Sequence, residues 1–142
     1  MRVVGIDLGL KRIGLALSDA SGVIASPWKT LAAAGQPARD AEAVAAVLRQ
    51  LDEGDDRLQA VVIGHPRRLD GSPTHLTTHV EAVAAELRGL LTVPIVLHDE
   101  RLTSREAEAI LAAREKDWRK RKEKLDAAAA AVMLQDYLDG LR

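Results

Sequence analysis

The pattern of apolar positions predicts a chain that begins with three strands. Residues 2–8 and 12–18 are two apolar runs joined by Gly9-Leu10-Lys11, a link short enough only for a hairpin. A third run, residues 23–31, contains Pro27, which cannot donate a ladder hydrogen bond and therefore favours the edge of a sheet. The N-terminal part of the chain is thus predicted to be an antiparallel meander.

Two further strands and four helices are predicted after this meander. Residues 60–64 are wholly apolar and residues 94–100 begin with an apolar run, which is typical of strands covered on both faces. Helical spacing and capping residues predict helices over residues 43–51, 73–91, 103–114 and 124–138. Ser72 is expected to be the N-cap of the second helix, with Pro73 at its first position.

The order of these elements, β-β-β-α-β-α-β-α-α, predicts an α/β fold. Parallel crossover connections are right-handed, so they place helices on both faces of the sheet. With the Pro27 strand at one edge, the natural spatial order is 3-2-1-4-5, which leaves the first strand in the centre. This mixed five-stranded sheet is the arrangement of the ribonuclease H-like fold. The chain of 142 residues is about one domain long, so residues 1–142 are expected to form one such domain.

Composition narrows the classes of function. The chain contains no cysteine, so a bound metal must be held by carboxylates, histidines or carbonyls, which favours Mg²⁺ or Mn²⁺ over Zn²⁺. Neither a membrane span nor a signal peptide is visible, and a cytosolic protein is expected. The net charge is −1, yet lysines and arginines crowd between Arg114 and Lys124. This basic segment predicts contact with a phosphate backbone, or else a solvated helix end or loop.

Three carboxylates are predicted to meet at one end of the sheet. Asp7 lies in the middle of the apolar first strand, where an unpaired charge is costly to bury. Glu100 ends the fifth strand, and ligands bind outside the carboxyl ends of parallel strands. Asp126 opens an alanine-rich stretch that lets the last helix approach the sheet. Singly, Asp126 suits the helix dipole, and Glu100 could pair with Arg101 or Arg105. Together the three acids predict a site for hard divalent cations.

Four ordered motifs make this interpretation specific. They are Gly5-Ile6-Asp7-Leu8-Gly9 with Lys11-Arg12-Ile13-Gly14 and Ser18-Asp19, then Val62-Ile63-Gly64-His65-Pro66 with Asp70-Gly71-Ser72, then Asp99-Glu100-Arg101-Leu102-Thr103-Ser104, and Asp126 to Ala130 with Leu134-Gln135-Asp136-Tyr137-Leu138. In this order they resemble the YqgF (RuvX) family, the Holliday-junction-resolvase-like family. The resemblance implies that Asp7, Glu100 and Asp126 are the metal-binding catalytic acids. It also implies a nuclease that matures the 5′ end of 16S ribosomal RNA in the bacterial cytoplasm.

One loop departs from the family pattern. The family usually has an apolar residue between the glycine and the proline of the second motif and an asparagine shortly afterwards. This chain instead has His65 between Gly64 and Pro66, followed by Arg67 and Arg68. Substrate contacts in this loop are therefore expected to differ.

The predicted chemistry is two-metal hydrolysis of a phosphodiester. One Mg²⁺ or Mn²⁺ ion activates a water and a second stabilises the leaving oxygen, so no nucleophilic side chain is required. Residues expected to bind nucleic acid lie at the first hairpin, at the start of the second helix, directly after the fifth strand and in the basic segment, which also has one aromatic for stacking. They are Lys11, Arg12, Ser72, Arg101, Trp118, Arg119, Lys120, Arg121 and Lys122.

The histidines are expected to play smaller parts. His75 and His79 lie four residues apart without an evident third ligand, so a solvated helix face is expected rather than a metal site. His98 shares a strand face with Glu100, and it either lines the cleft or forms a hydrogen bond in the core.

The predicted partner is RNA, in particular precursor ribosomal RNA. The basic segment is single and short, which suits one strand better than a four-way junction. Branched DNA stays open as a substrate, as does a non-catalytic RNA- or polymerase-binding module on the same fold. The motif around Asp7 also resembles the phosphate loop of actin-like kinases, which need two domains to enclose ATP. No membrane partner is expected, and the sequence leaves the oligomeric state open.

Overall fold

The structure, a computed structural model, describes residues 2–52, 57–66, 70, 72–100 and 118–141. For Asp52, Glu100 and residues 118–124 it describes the backbone only. The described elements in chain order are β1 (Arg2–Leu8), β2 (Arg12–Ser18), β3 (Ala25–Ala32), α1 (Pro37–Asp52), β4 (Leu58–Pro66), α2 (His75–Leu90), β5 (Ile95–Glu100) and α3 (Trp118–Gly140). The helix predicted over residues 103–114 lies outside the described residues.

The strands form one five-stranded sheet with the order β3-β2-β1-β4-β5. β1 and β3 each pair antiparallel with β2, whereas β4 is parallel to both β1 and β5. The β2–β3 register places Ala16 opposite Pro27 and Leu15 opposite Lys29, which leaves Trp28 as the extra residue of a bulge. The predicted mixed sheet, with the first strand in the centre and the Pro27 strand at an edge, is therefore confirmed.

The N-cap of α2 is Thr74, so the prediction of Ser72 was wrong. The Thr74 hydroxyl accepts from the Thr77 N–H at 3.3 Å, and the Thr74 N–H donates to Thr77 Oγ1 at 2.8 Å. These reciprocal bonds form a capping box. Ser72 instead donates to Asp70 Oδ1 through its N–H at 2.8 Å and through its hydroxyl at 2.6 Å. Its polar groups thus belong to the preceding turn.

The last helix begins earlier than the apolar periodicity indicates. α3 starts at Trp118 rather than near Lys124, and it includes the second half of the basic segment. Lysine, arginine and glutamate are good helix formers, so a helix can continue through a stretch without an apolar face. None of the helices in the described part of the chain is long and apolar enough to cross a membrane.

The sheet separates two cores of different composition. Helices α1 and α2 cover one face, where large aliphatic side chains are buried, among them Ile6, Leu8, Ile13, Leu15, Leu48, Ile63 and Leu87. Helix α3 covers the other face, which is built mainly from smaller residues, among them Val3, Ala16, Ala60, Val62, Ala130 and Ala131. Because side chains fix the distance between packed elements, α3 can lie closer to the strands than α1 and α2 can.

Candidate active site

Helix α3 touches β2 at Gly14 through main-chain atoms. A Cβ atom at Gly14 would lie 1.9 Å from the Asp126 carbonyl oxygen and 2.2 Å from its carbonyl carbon. Glycine is the residue that permits such an approach of two backbones. Ala127 and Ala128, which are buried, follow at once in the helix. The main chain of Asp126 is therefore held directly over β2.

Asp7 lies beside this contact. It is the cross-strand partner of Gly14, and directly opposed residues of an antiparallel pair share a face. Val3 and Gly5 of the same strand pack against α3, and the period-two alternation continues from them to Asp7. The Asp7 side chain is half-buried. The structure thus brings Asp7 and Asp126 to one place on the α3 face.

Glu100 is the last residue of β5, at the same end of the sheet. Its register partner is Pro66, the last residue of β4. Because β4 separates β1 from β5, the two outer strands of this parallel trio lie about 10 Å apart. Val96 and His98 contact α3, and position 100 belongs to the same alternating set. Among the described side chains, which exclude that of Glu100, no group of three potential metal ligands is found.

Arg12 forms an ion pair with Asp126. Its Nε atom donates to Asp126 Oδ2 at 2.7 Å, with the two side chains 43% and 25% exposed. The Arg12 main chain is fixed as well, because its carbonyl accepts from the Gly9 N–H at 2.9 Å. The neighbouring Lys11 is exposed. A residue predicted to bind phosphate therefore contacts a predicted metal ligand.

One turn of α3 bonds to strand segments on opposite sides of β1. Gln135 Oε1 accepts from the Ala25 N–H, and its Nε2 donates to the Val23 carbonyl, both at 2.9 Å. The Asp136 carboxylate lies 2.7 Å from His98 Nε2. Gln135 and Asp136 belong to the fourth motif, but no individual role was predicted for either residue. The available signal was a polar pair between Leu134 and Leu138, both of which are buried.

Comparisons with known proteins identify the family of this chain. The model of the RuvX family, described as Holliday junction resolvase, matches residues 1–140. The chain belongs to the RuvX family. It is 37% identical over 139 residues to the "Putative pre-16S rRNA nuclease" of Pelotomaculum thermopropionicum, covering 98% of this chain and 87% of that protein. The identically named protein of Opitutus terrae is 41% identical over 140 residues, which covers 98% and 92%.

A solved structure of RuvC shares the fold. T. thermophilus RuvC, in complex with Holliday junction substrate, superposes on this RuvX-family protein with a TM-score of 0.55. The two chains are 16% identical, and the superposition covers 99% of this chain and 95% of RuvC. The predicted ribonuclease H-like arrangement and the family resemblance are both confirmed.

The remaining predicted contacts of this RuvX-family protein are only partly described. Residues 118–122, the predicted aromatic and basic contacts, form the first turns of α3. Arg101 lies outside the described residues. Ser72 lies in the turn before α2 and not at the helix N-terminus. The nucleic-acid-binding roles of these residues stay predictions.

The histidines differ from expectation in one case. The His79 side chain is only 9% exposed, and its Nε2 lies 3.5 Å from Asp40 Oδ2. The prediction that His79 lies on a solvated helix face is wrong, because α1 packs against α2. His98 bonds to Asp136, and its ring meets that of Tyr137 edge-on at 5.7 Å between centroids. It therefore forms a hydrogen bond, but with an Asp136 side chain that is 75% exposed, so the expected hydrogen bond in the core was wrong in its location.

Proposed function

We propose that this RuvX-family protein is a divalent-metal-dependent nuclease in which Asp7, Glu100 and Asp126 hold the metal. The observation that carries the proposal is the contact at Gly14. This residue pairs with Asp7 across the sheet and bears the main chain of Asp126. Two carboxylates are thereby held on one face, near the carboxyl end of the central strand, where open α/β sheets bind ligands.

The donor set fits hard cations. Asp7 and Asp126 offer oxygen ligands, and a chain without cysteine offers no thiolate, so Mg²⁺ or Mn²⁺ suits the site better than Zn²⁺. Bound in a pair, such ions supply the charge that activates a water and stabilises the departing oxygen of a phosphodiester. In this proposal β1, β5 and α3 each contribute one acid, and Lys11 and Arg12 at the first hairpin bind a phosphate.

We favour RNA as the substrate, in particular the 5′ leader of precursor 16S ribosomal RNA in the cytoplasm. The named relatives, 37% and 41% identical, support this choice. The backbone adds a second argument, because residues 118–122 precede Asp126 in the same helix. At about 1.5 Å of rise per residue, these basic positions start within about 12 Å of Asp126 along the helix axis. A strand held there would pass the proposed metal site.

The test compares two substrates and four proteins. Wild type, Asp7→Asn, Glu100→Gln and Asp126→Asn are incubated with a single-stranded precursor 16S leader and with a four-way DNA junction, in Mg²⁺, Mn²⁺ or EDTA. We expect the wild type to cut the RNA in metal only. Each variant should lose cleavage while it stays folded, because an amide replaces a charged ligand at nearly constant shape. Glu86→Gln, an exposed change on α2, is the matched control.

Each alternative has its own outcome. Symmetric paired nicks in the junction, with the RNA uncut in both metals, would make the protein a resolvase. RNA binding without cleavage of either substrate would make it a binding module. Wild-type turnover by folded Asp7→Asn would exclude Asp7 as a catalytic ligand.

A further inference from the structure

The ion pair between Arg12 and Asp126 joins positions 114 residues apart in the chain. Both partners are anchored by their main chains, Arg12 through the Gly9 N–H and Asp126 through the contact at Gly14. Because both main chains are held, pairing requires only the two side chains to become ordered. The pairing is therefore built into the fold.

The ion pair neutralises the carboxylate of Asp126, which lies near that of Asp7. With Asp7 on the same face, Asp126 would feel like-charge repulsion, and the guanidinium offsets it at 2.7 Å. A divalent cation that uses Asp126 as a ligand brings two positive charges to this position. The guanidinium and the cation repel each other, so they compete for the same carboxylate.

We propose that Arg12 is an internal counter-ion of Asp126 that a divalent cation displaces, freeing the guanidinium to bind a phosphate of the nucleic acid. This inference rests on the proposed function. Arg12 stays at the edge of the site because its main chain is held, and a guanidinium fork matches a phosphate. Metal binding would thus prepare the protein for its substrate, and the order would be metal first and nucleic acid second.

The first measurement is Mn²⁺ affinity by titration calorimetry. Arg12→Gln removes the competing charge. The Mn²⁺ dissociation constant of this variant should therefore fall about three- to fivefold, the range expected for an exposed ion pair. Arg12→Lys keeps the positive charge but lacks the guanidinium fork, so its Mn²⁺ dissociation constant should lie between those of Arg12→Gln and wild type. Arg39→Gln removes the same charge from an exposed position on α1, on the other face of the sheet, and should change the affinity less than about twofold. Equal affinities of Arg12→Gln and wild type would overturn the inference.

The second measurement follows Arg12 directly by nuclear magnetic resonance. The Arg12 Nε–H signal should shift during a titration with Mg²⁺, and its hydrogen should exchange faster with water once the bond to Asp126 is lost. An unchanged signal at saturating Mg²⁺ would contradict displacement.

The third measurement tests the released guanidinium. Affinity for a single-stranded RNA, checked to be uncut after each measurement, is compared with and without Mg²⁺. Mg²⁺ should strengthen binding more in the wild type than in Arg12→Gln. The same gain in both proteins would overturn the phosphate step.

Asp126→Asn separates this inference from the proposed function. If Asp126→Asn binds Mn²⁺ as tightly as wild type, Asp126 is not a ligand and the proposed site fails with the inference. If Asp126→Asn loses affinity while Arg12→Gln matches wild type, the site stands and the counter-ion role alone is wrong.

Discussion

The two faces of the sheet are packed with different residues for different purposes. On the α1/α2 face, isoleucine, leucine and valine side chains fill the space between helix and strand. On the α3 face, Gly5 and Gly14 stand where a Cβ atom would collide with the helix, at 2.7 Å from Leu134 Cβ and at 1.9 Å from the Asp126 carbonyl oxygen. The first face buries more apolar surface, and the second achieves a closer approach.

This difference indicates a division between stability and chemistry. Buried aliphatic area is the main favourable term in folding, so the α1/α2 face should supply most of the stability. The close approach of α3 to the sheet buries less apolar surface per residue, but it brings the acids of β1 and α3 near each other. Substitutions on the two faces should therefore separate the two properties.

The largest expected effect is the loss of stability in Leu87→Ala. Leu87 is fully buried on the α1/α2 face, and truncating such a leucine costs about 2–5 kcal/mol of unfolding free energy. Denaturant unfolding measures the loss. Leu90→Ala, at a residue of the same helix that is 36% exposed, should cost less than about 1 kcal/mol. Below its unfolding transition, Leu87→Ala should keep wild-type cleavage, and a large loss of turnover there would show that the two faces are coupled.

The second effect is a loss of cleavage in Gly14→Ala. The new methyl group would meet the Asp126 main chain, so α3 must move away from β2. A displacement of about 1 Å at a catalytic group can lower turnover about a hundredfold. Hydrogen exchange should show the amides of α1 and α2 still protected.

Gly89→Ala is the matched control, because a Cβ atom there meets nothing within 4 Å. It should leave cleavage unchanged. Full activity of Gly14→Ala would mean that the close approach is not required.

A smaller effect is expected from Gln135→Ala. This change removes the hydrogen bonds from the part-buried Ala25 N–H and to the exposed Val23 carbonyl, at a cost of about 0.5–1.5 kcal/mol. Hydrogen exchange at Ala25 should speed up. Gln135→Glu keeps an acceptor for the Ala25 N–H, so it should restore protection at that amide. If Ala25 exchanges at the wild-type rate in Gln135→Ala, the side chain does not hold the strand.

The smallest effect concerns acid stability of the β2–β3 turn. Hydrogen bonds from the Ile24 N–H, the Ser21 hydroxyl and the Val23 N–H hold the pKa of Asp19 well below its usual range. With a lowered folded-state pKa, the contribution of Asp19 is complete above about pH 4, the unfolded value, and is lost as the pH falls further. The Asp19→Asn variant has no carboxylate at this position, so this contribution does not change with pH. The difference in Tm between wild type and Asp19→Asn should therefore shrink from pH 5 to pH 2, and a constant difference would contradict the assignment.

The sheet could be predicted from the sequence because local rules restrict it. A three-residue link allows only a hairpin, and Pro27 restricts its strand to an edge. The helix termini were less predictable, since Thr74 and Ser72 are both good N-caps and only the surrounding turn decides between them. The Arg12–Asp126 pair could not be predicted, because no local pattern links two charges that are 114 residues apart. The alanines after Asp126 indicated a close approach without indicating Gly14 as its partner.

The distance along the chain between Arg12 and Asp126 has a consequence for biosynthesis. The first three strands end at Ala32, but α3, the helix that carries Asp126, begins only at Trp118, 86 residues later. Domains generally fold as units during synthesis, and the contact between Gly14 and the Asp126 main chain cannot form before α3 has been made. In a nascent chain that still lacks α3, Asp7 and Asp126 are therefore apart. Near the ribosomes whose RNA it is proposed to cut, the unfinished protein would be inert.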